Sequence, residues 1–179
     1  MKKEFIQKHF IYFMLYAILG WIYEVFLEVV VYRWGFSNRG VLFGPYCPVY
    51  GFGALAFIFT VYPFIKKKNI KKKLFLIPIV FLLCMGIATL IELITSYLCE
   101  FFLGSWPWQT YANYKYNFQA RIALSPSIRF GIGGVVFLYL IQPLYEKLLE
   151  KLGSKKVNII FIILLLILAI DMIYTFIIK

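Results

Sequence analysis

Residues 38–53, NRGVLFGPYCPVYGFG, separate two strongly apolar stretches of the chain and decide how it folds. The segment has four glycines and two prolines in sixteen residues, a composition that disfavours a continuous helix. Non-helical backbone at membrane depth is tolerated only where protein or a water-filled cavity satisfies its polar groups. The segment therefore predicts a re-entrant or broken-helix lining, with backbone bends at Gly40, Gly44, Pro45, Pro48, Gly51 and Gly53.

The rest of the chain has the composition of an integral membrane protein. Apolar residues make up 63%, charged residues only 15%, and the mean hydropathy is +0.82, far from the mix of a soluble domain. A bilayer core needs about 20 helical residues, and the segments that fit are 9–32, 48–65, 74–99, 126–145 and 157–178. We expect an all-α protein with about five spans, residues 1–179 forming one polytopic domain of the cell membrane.

The net charge of +11 comes mainly from lysines clustered between the apolar runs. Most basic residues fall on alternate connections: Lys2, Lys3 and Lys8, then 66–68 and 71–73, then Lys147, Lys151, Lys155 and Lys156. The positive-inside bias then places the N-terminus in the cytoplasm, the C-terminus outside, and segments 33–48 and 104–125 on the outer face. The clusters predict contacts with anionic membrane lipids rather than nucleic acid, because the chain has no soluble groove-reading module.

Ligands for a metal or a cofactor are scarce. His9 is the single histidine, and Cys47, Cys84 and Cys99 show no ligand spacing. We therefore expect neither a metal site nor a cofactor, and interpret the cysteines as packed small apolar residues.

The candidate acidic residues in the outer parts of predicted spans are Glu24 in the first, one turn before Glu28, and Glu92 in the third. A carboxylate at the bilayer centre costs roughly 2.5–3.5 kcal/mol on insertion scales and normally faces the bundle interior with a partner. We expect Glu24 to pair with Arg39, with Arg121 as the next candidate. The predicted outer cavity is lined by Glu24, Asn38, Arg39, Tyr50, Glu92, Asn117 and Arg121; purely structural interhelical pairs are the alternative.

Some of these residue types recur in the same order. The first series is Glu24, Asn38, Arg39, Pro45 and Gly51, and the second is Glu92, Asn117, Arg121, Pro126 and Gly131. A parallel internal repeat, related by an axis along the membrane normal, accounts for this order. Chance similarity accounts for it equally well, because glycine and proline are common in membrane helices.

Other polar and aromatic residues receive structural interpretations. Asp171, late in the last span, would either reach Arg129 or close the outer end of the bundle. The outer aromatic residues suit the membrane interface, although they could also form a stacking platform for a substrate. They are Trp34, Trp106, Trp108, Tyr111, Tyr114 and Tyr116.

The motif Trp21-x-Tyr23-Glu24, followed by Asn38-Arg39-Gly40-x-Leu42-x-Gly44-Pro45-x-Cys47-Pro48-x-Tyr50-Gly51-x-Gly53, resembles the bacterial ABC-transporter permease family of type IV, also called CmpB-like. The resemblance extends through Glu92, Trp106 and Trp108 to Arg121-Ile122-x-Leu124-x-x-Ser127-Ile128-x-x-Gly131, with Phe130 where that family often has Trp. It implies a transport role. The chain has no GxxxxGK[ST] phosphate loop, so any ATPase of the system would be a separate chain.

The sequence thus favours a permease-like component whose Glu/Arg cavity opens to the non-cytoplasmic side and binds a small polar or anionic solute. One alternative is a membrane enzyme acting on a lipid or polyprenyl phosphate at the outer leaflet, with arginines binding phosphate and a glutamate as base. It is less favoured because no nucleophile and base stand at a recognisable spacing. The other alternative is a sensory or assembly subunit that transports nothing.

Overall fold

The computed structural model describes residues 2–178, and Met1 and Lys179 lie outside the described residues. The helices are α1 (Lys2–Phe26), α2 (Pro48–Thr60), α3 (Tyr62–Lys66), α4 (Ile70–Phe75), α5 (Ile77–Leu103), α6 (Leu124–Val136) and α7 (Gln142–Ile173). Wider π-helical turns follow α1 (Leu27–Val31), α6 (Phe137–Ile141) and α7 (Tyr174–Ile178). Between α5 and α6 lie a 3₁₀ turn (Gln109–Asn113) and the antiparallel strands β1 (Asn117–Phe118) and β2 (Ile122–Ala123).

The nearly all-helical fold agrees with the predicted class. Within residues 2–178, three helical stretches are long and apolar enough to cross a membrane: Lys2–Val31, Ile77–Leu103 and Leu124–Ile178. The third has 55 residues, far more than the roughly 20 that one crossing needs, and its helical geometry is interrupted at Gly153. Helix α2 is apolar but only 13 residues long. These features indicate a membrane protein, while the count of five spans stays a prediction.

The non-helical segment after α1 is shorter than predicted. It ends at Cys47, and Pro48 begins α2, where its fixed φ suits the first turn of a helix. Gly51 and Gly53 lie inside the same helix. The predicted backbone bends at Pro48, Gly51 and Gly53 are therefore wrong, whereas Gly40, with φ +95°, does turn the chain.

The described part of the chain divides into two compact units. The first unit contains residues up to Leu55 together with those from Tyr145 onward, and the second is Ala56–Leu144. The buried core of the first unit combines α1 with the loop that follows it: Phe13, Met14, Ala17, Leu42 and Tyr46. Leu164 and Leu168 of α7 pack against this core. The prediction of one polytopic domain stays a prediction.

Gly51 allows α1 and α2 to pack closely within the first unit. A Cβ placed on Gly51 would lie 2.5 Å from the ring of Phe13 and 2.7 Å from its backbone oxygen. The backbone atom cannot rotate away as a side chain can, so any side chain at this position must push the two helices apart. Two residues later, a Cβ on Gly53 would meet nothing within 4 Å.

These two glycines make a matched pair for a stability test. We expect Gly51→Ala to lower the free energy of unfolding by about 1–3 kcal/mol, the usual cost of overpacking. Gly53→Ala should be neutral or stabilising by up to about 1 kcal/mol, because alanine favours the helix and meets no neighbour. Thermal unfolding of the purified variants in detergent measures both. Equal effects of the two substitutions would contradict this account of α1–α2 packing.

Candidate functional site

The loop between α1 and α2 is bent by left-handed residues and then returns to α1. Arg33, Gly35 and Gly40 have positive φ angles of 57°, 89° and 95°. The loop closes where the backbone N–H of Cys47 donates to the carbonyl oxygen of Ala17 at 2.9 Å. The loop therefore lies alongside the second half of α1, which carries the predicted site residue Glu24.

Glu28, in the π-helical turn after α1, is the buried anion that this loop neutralises. Ser37 donates to its carboxylate twice, through the hydroxyl at 2.7 Å and the backbone N–H at 3.2 Å. The Nε atom of Arg39 lies 3.2 Å from Oε2 of the same carboxylate, close enough for an ion pair but not aligned for a hydrogen bond. Glu28 is only 6% exposed, so the loop supplies the charge and the donors that its burial requires.

The ion pair corrects the expectation that Arg39 pairs with Glu24. Glu24 accepts a hydrogen bond from the hydroxyl of Tyr50, which reaches it from α2. The ring of Tyr50 fits over Gly20, where a Cβ would lie 2.2 Å from it. The structure thus brings the predicted site residues Glu24 and Tyr50 together, and Arg39 pairs with Glu28 instead.

Asn38 organises the loop. Its side-chain oxygen accepts from the indole N–H of Trp21 at 2.8 Å. Its amide nitrogen donates to the carbonyl oxygens of Leu42 (3.2 Å) and Phe43 (2.7 Å). These bonds tie the predicted site residue Asn38 to α1 and to the next turn of its own loop, and hold its neighbour Arg39 in place.

Asp171 on α7 binds the same loop from the other side. Its carboxylate accepts from the backbone N–H groups of Phe43 at 3.0 Å and Gly44 at 2.7 Å, and from the hydroxyl of Tyr46. Thr175, one turn later, donates to it at 2.9 Å. Sequence reasoning predicted a structural role for Asp171 but not this partner. A lone acid in an apolar stretch indicates that donors exist, without saying which.

Burial in this loop suppresses ionisation of the neighbouring side chains. Desolvation raises the pKa of Tyr46, and its hydrogen bond to Asp171 raises it further. Burial also raises the pKa of the Cys47 thiol to about 12; the negative charge of Glu24 adds to this rise, and Arg39 opposes it. Cys47 is therefore a neutral, packed thiol at physiological pH, as expected for an apolar cysteine.

In the second unit, Glu92 and Arg121 have separate partners. Glu92 is buried in α5 and accepts from the hydroxyl of Tyr111 at 2.8 Å. Arg121 forms an ion pair with Glu100 at 2.5 Å, and its Nη1 lies 3.4 Å from the hydroxyl oxygen of Ser96. Glu92 thus binds the segment between α5 and α6 from α5, and Arg121, within that segment, binds back to α5.

The guanidinium of Arg121 is held between two aromatic rings. Its central carbon lies 4.0 Å from the centroid of Tyr97 and 4.0 Å from that of Trp106. Cation–π contacts of this kind are worth about 0.5–2 kcal/mol each, more where water is excluded. Together with Glu100, the rings enclose Arg121 so fully that it is only 6% exposed.

Arg121 follows a tight turn between β1 and β2. Gln119 and Ala120 have φ angles of 52° and 55°, and the N–H of Arg121 donates to the oxygen of Phe118 at 2.9 Å. This is a type I′ turn, which normally takes Asn-Gly because both central residues are left-handed. Asn117, a predicted site residue, accepts from the N–H of Ala120 at 3.1 Å.

Indole groups stabilise the turn from outside. Trp106 donates to the carbonyl oxygen of Ala120 at 3.0 Å, and Trp108 donates to that of Arg121 at 2.8 Å. Tyr97 donates to the side chain of Gln119 at 3.1 Å. These aromatic residues therefore have partners within their own unit, a role that the interpretation as an interfacial belt did not include.

The strained turn gives a stability prediction. The left-handed conformation costs an L-residue roughly 1–2 kcal/mol. Glycine avoids this cost but loses more conformational entropy on folding, so the net gain in stability is smaller. We expect Ala120→Gly to raise the free energy of unfolding by about 0.5–1 kcal/mol. Ala123→Gly, in the extended and buried β2 position, should lower it. Thermal unfolding of both variants is the measurement, and destabilisation by Ala120→Gly would contradict the assigned turn.

The predicted site residues therefore form two groups, each inside one unit: Glu24, Asn38, Arg39 and Tyr50 in the first, and Glu92, Asn117 and Arg121 in the second. Residues 11–176 match the model of the family described as "Putative ABC-transporter type IV". No curated protein and no solved structure matches the chain. The family match covers nearly the whole chain and confirms the resemblance drawn from the Trp21–Glu24 and Asn38–Gly53 motifs. The chain belongs to the type IV, or CmpB-like, family of ABC-transporter proteins.

Proposed function

We propose that this protein is the membrane component of a transport system in the cell membrane, and that a separate chain supplies the ATPase. The family assignment supports a transport role. The observation that carries the proposal is the Glu28–Arg39 ion pair, which keeps a charged guanidinium at the edge of an apolar helix. Charged groups in such surroundings are costly and typically mark the path of a substrate or an ion.

Arg39 is the residue proposed to contact the solute. Its ion pair with Glu28 uses Nε, while the side chain keeps 29% of its surface exposed. A guanidinium presents further N–H groups in a planar fork that suits carboxylate or phosphate oxygens. The proposed solute is therefore a small polar or anionic molecule. Glu24 and Tyr50 are proposed as neighbouring lining residues of an opening to the non-cytoplasmic side.

The second unit has a different part in this proposal. Arg121 is already neutralised by Glu100 and covered by Tyr97 and Trp106. Such an arginine stabilises the second unit and offers little free charge to a solute. We accordingly propose Arg39 rather than Arg121 as the main solute contact.

The Glu28–Arg39 pair can be measured directly. Removing one member of a buried pair costs about 3–5 kcal/mol, and an exposed pair less than about 1. Because Arg39 is partly exposed, we expect Glu28→Gln and Arg39→Gln each to lower the free energy of unfolding by about 1–3 kcal/mol. The double variant should lose less than the sum. The exposed Lys8–Glu4 pair, 3.0 Å apart, is the control, and Glu4→Gln should change stability by less than about 0.5 kcal/mol.

The same variants test function in a strain that lacks the chain. A transport component predicts a small solute whose distribution between cells and medium changes on deletion and recovers with the wild-type chain. The folded Glu28→Gln/Arg39→Gln double variant should not restore it. Full recovery with the double variant would make the pair purely structural and overturn the solute proposal. An accumulated lipid precursor with unchanged solutes would instead favour the membrane enzyme.

The proposed sidedness has its own test. Single cysteines replacing Lys68, beside α4, and Thr110, in the 3₁₀ turn, are probed in intact cells with a membrane-impermeant maleimide. We expect Thr110→Cys to be labelled from outside and Lys68→Cys only after permeabilisation, because the lysine clusters should remain in the cytoplasm. The unsubstituted chain gives the background from its native cysteines. The reverse pattern would move the proposed opening to the cytoplasmic side.

A further inference from the structure

We propose that Asp171 is a positioning residue that holds the loop of residues 38–46 closed against α7, so that loss of its carboxylate releases the loop. This deepens the proposed function, on which it rests only for the link between loop position and solute binding. Asp171 is distant in sequence from this loop and touches it through the hydrogen bonds of one side chain.

Each oxygen of the Asp171 carboxylate accepts two hydrogen bonds. Oδ1 accepts from the N–H of Phe43 and the hydroxyl of Thr175, and Oδ2 accepts from the N–H of Gly44 and the hydroxyl of Tyr46. Three of these donors belong to the loop and one to the π-helical turn that follows α7. Charge-assisted bonds of this kind are roughly twice as strong as neutral ones. One side chain therefore holds Phe43, Gly44 and Tyr46 of the loop.

Local sequence is adapted to this contact. A Cβ on Gly44 would lie 2.5 Å from the ring of Tyr46 and 2.8 Å from Oδ2 of Asp171. Any side chain at Gly44 would therefore force the backbone away from the carboxylate. Glycine is required here by space, since its φ is not in the left-handed region.

The contact between α7 and the loop stabilises both segments. Asp171 lies in the apolar last part of α7, on the side where Leu164 and Leu168 pack against the core formed with Leu42 and Tyr46. An ionised carboxylate there is costly unless donors reach it. Both the apolar contacts and the hydrogen bonds therefore favour the same closed arrangement, and removing the hydrogen bonds alone leaves only the apolar contacts.

A natural reporter lies beneath the loop. Cys47 is 4% exposed, and a Cβ built on Gly40 would lie 3.3 Å from its sulfur. The loop itself thus covers the thiol. Opening of residues 38–46 should expose Cys47 without exposing Cys84, which is fully buried in the second unit.

The test is the rate of alkylation of each cysteine by N-ethylmaleimide in the purified full chain, resolved by mass spectrometry. Asp171→Asn places an amide NH₂ against loop donors, and we expect about a tenfold or greater rise in the Cys47 rate, since reactivity follows the open population. Tyr46→Phe removes one donor while keeping the ring, and should give a smaller rise. Thr175→Val, which removes only the bond within the helix, is the matched control and should leave the rate unchanged.

The other outcomes separate this proposal from the proposed function. An unchanged Cys47 rate in Asp171→Asn overturns the positioning role, whatever happens to transport. A parallel rise at Cys84, or an equal rise in Thr175→Val, also overturns it, because general loosening would then explain the exposure. A selective rise at Cys47 with normal solute distribution in the complemented strain supports the positioning role and instead removes the loop from the transport site.

Discussion

A carboxylate in an apolar helix needs hydrogen-bond donors, and in this protein the segments between helices supply many of them. Ser37 donates to Glu28, Tyr111 to Glu92 and Arg121 to Glu100. Phe43, Gly44 and Tyr46 donate to Asp171. Arg39 adds an ion pair to Glu28, and Tyr50 of α2 donates to Glu24. Ordering a loop costs conformational entropy, and these charge-assisted bonds offset part of that cost. The acidic residues fix where the non-helical backbone lies.

This constraint bears on where the irregular backbone lies. Residues 38–53 do contain the irregular backbone, because Gly40 needs a left-handed φ and Gly44 allows no side chain. Residues 48–53 of that segment were assigned both to the predicted span 48–65 and to predicted bends, and the structure has them in α2. Pro48 suits a helix start as well as a bend, and the glycines that follow permit close helix packing as readily as a turn. Composition alone does not separate these uses.

The partners of the charged residues were harder to predict than the residues themselves. Glu24 and Glu28 stand one helical turn apart, and the sequence offers no reason for Arg39 to prefer one. The choice depends on the path of residues 32–39, which is set by left-handed conformations at Arg33 and Gly35 and by the bonds of Ser37. Asp171 posed the same difficulty, because its loop partners lie more than a hundred residues away in the chain.

The turn at Gln119 and Ala120 bears on the order in which the second unit forms. Two adjacent left-handed residues without glycine make the turn unfavourable by itself, so it cannot act as a nucleus for the hairpin. In the folded structure, hydrogen bonds from Trp106, Trp108 and Tyr97 offset that strain. We therefore expect the hairpin to form late in assembly, after the aromatic residues around Arg121 have docked.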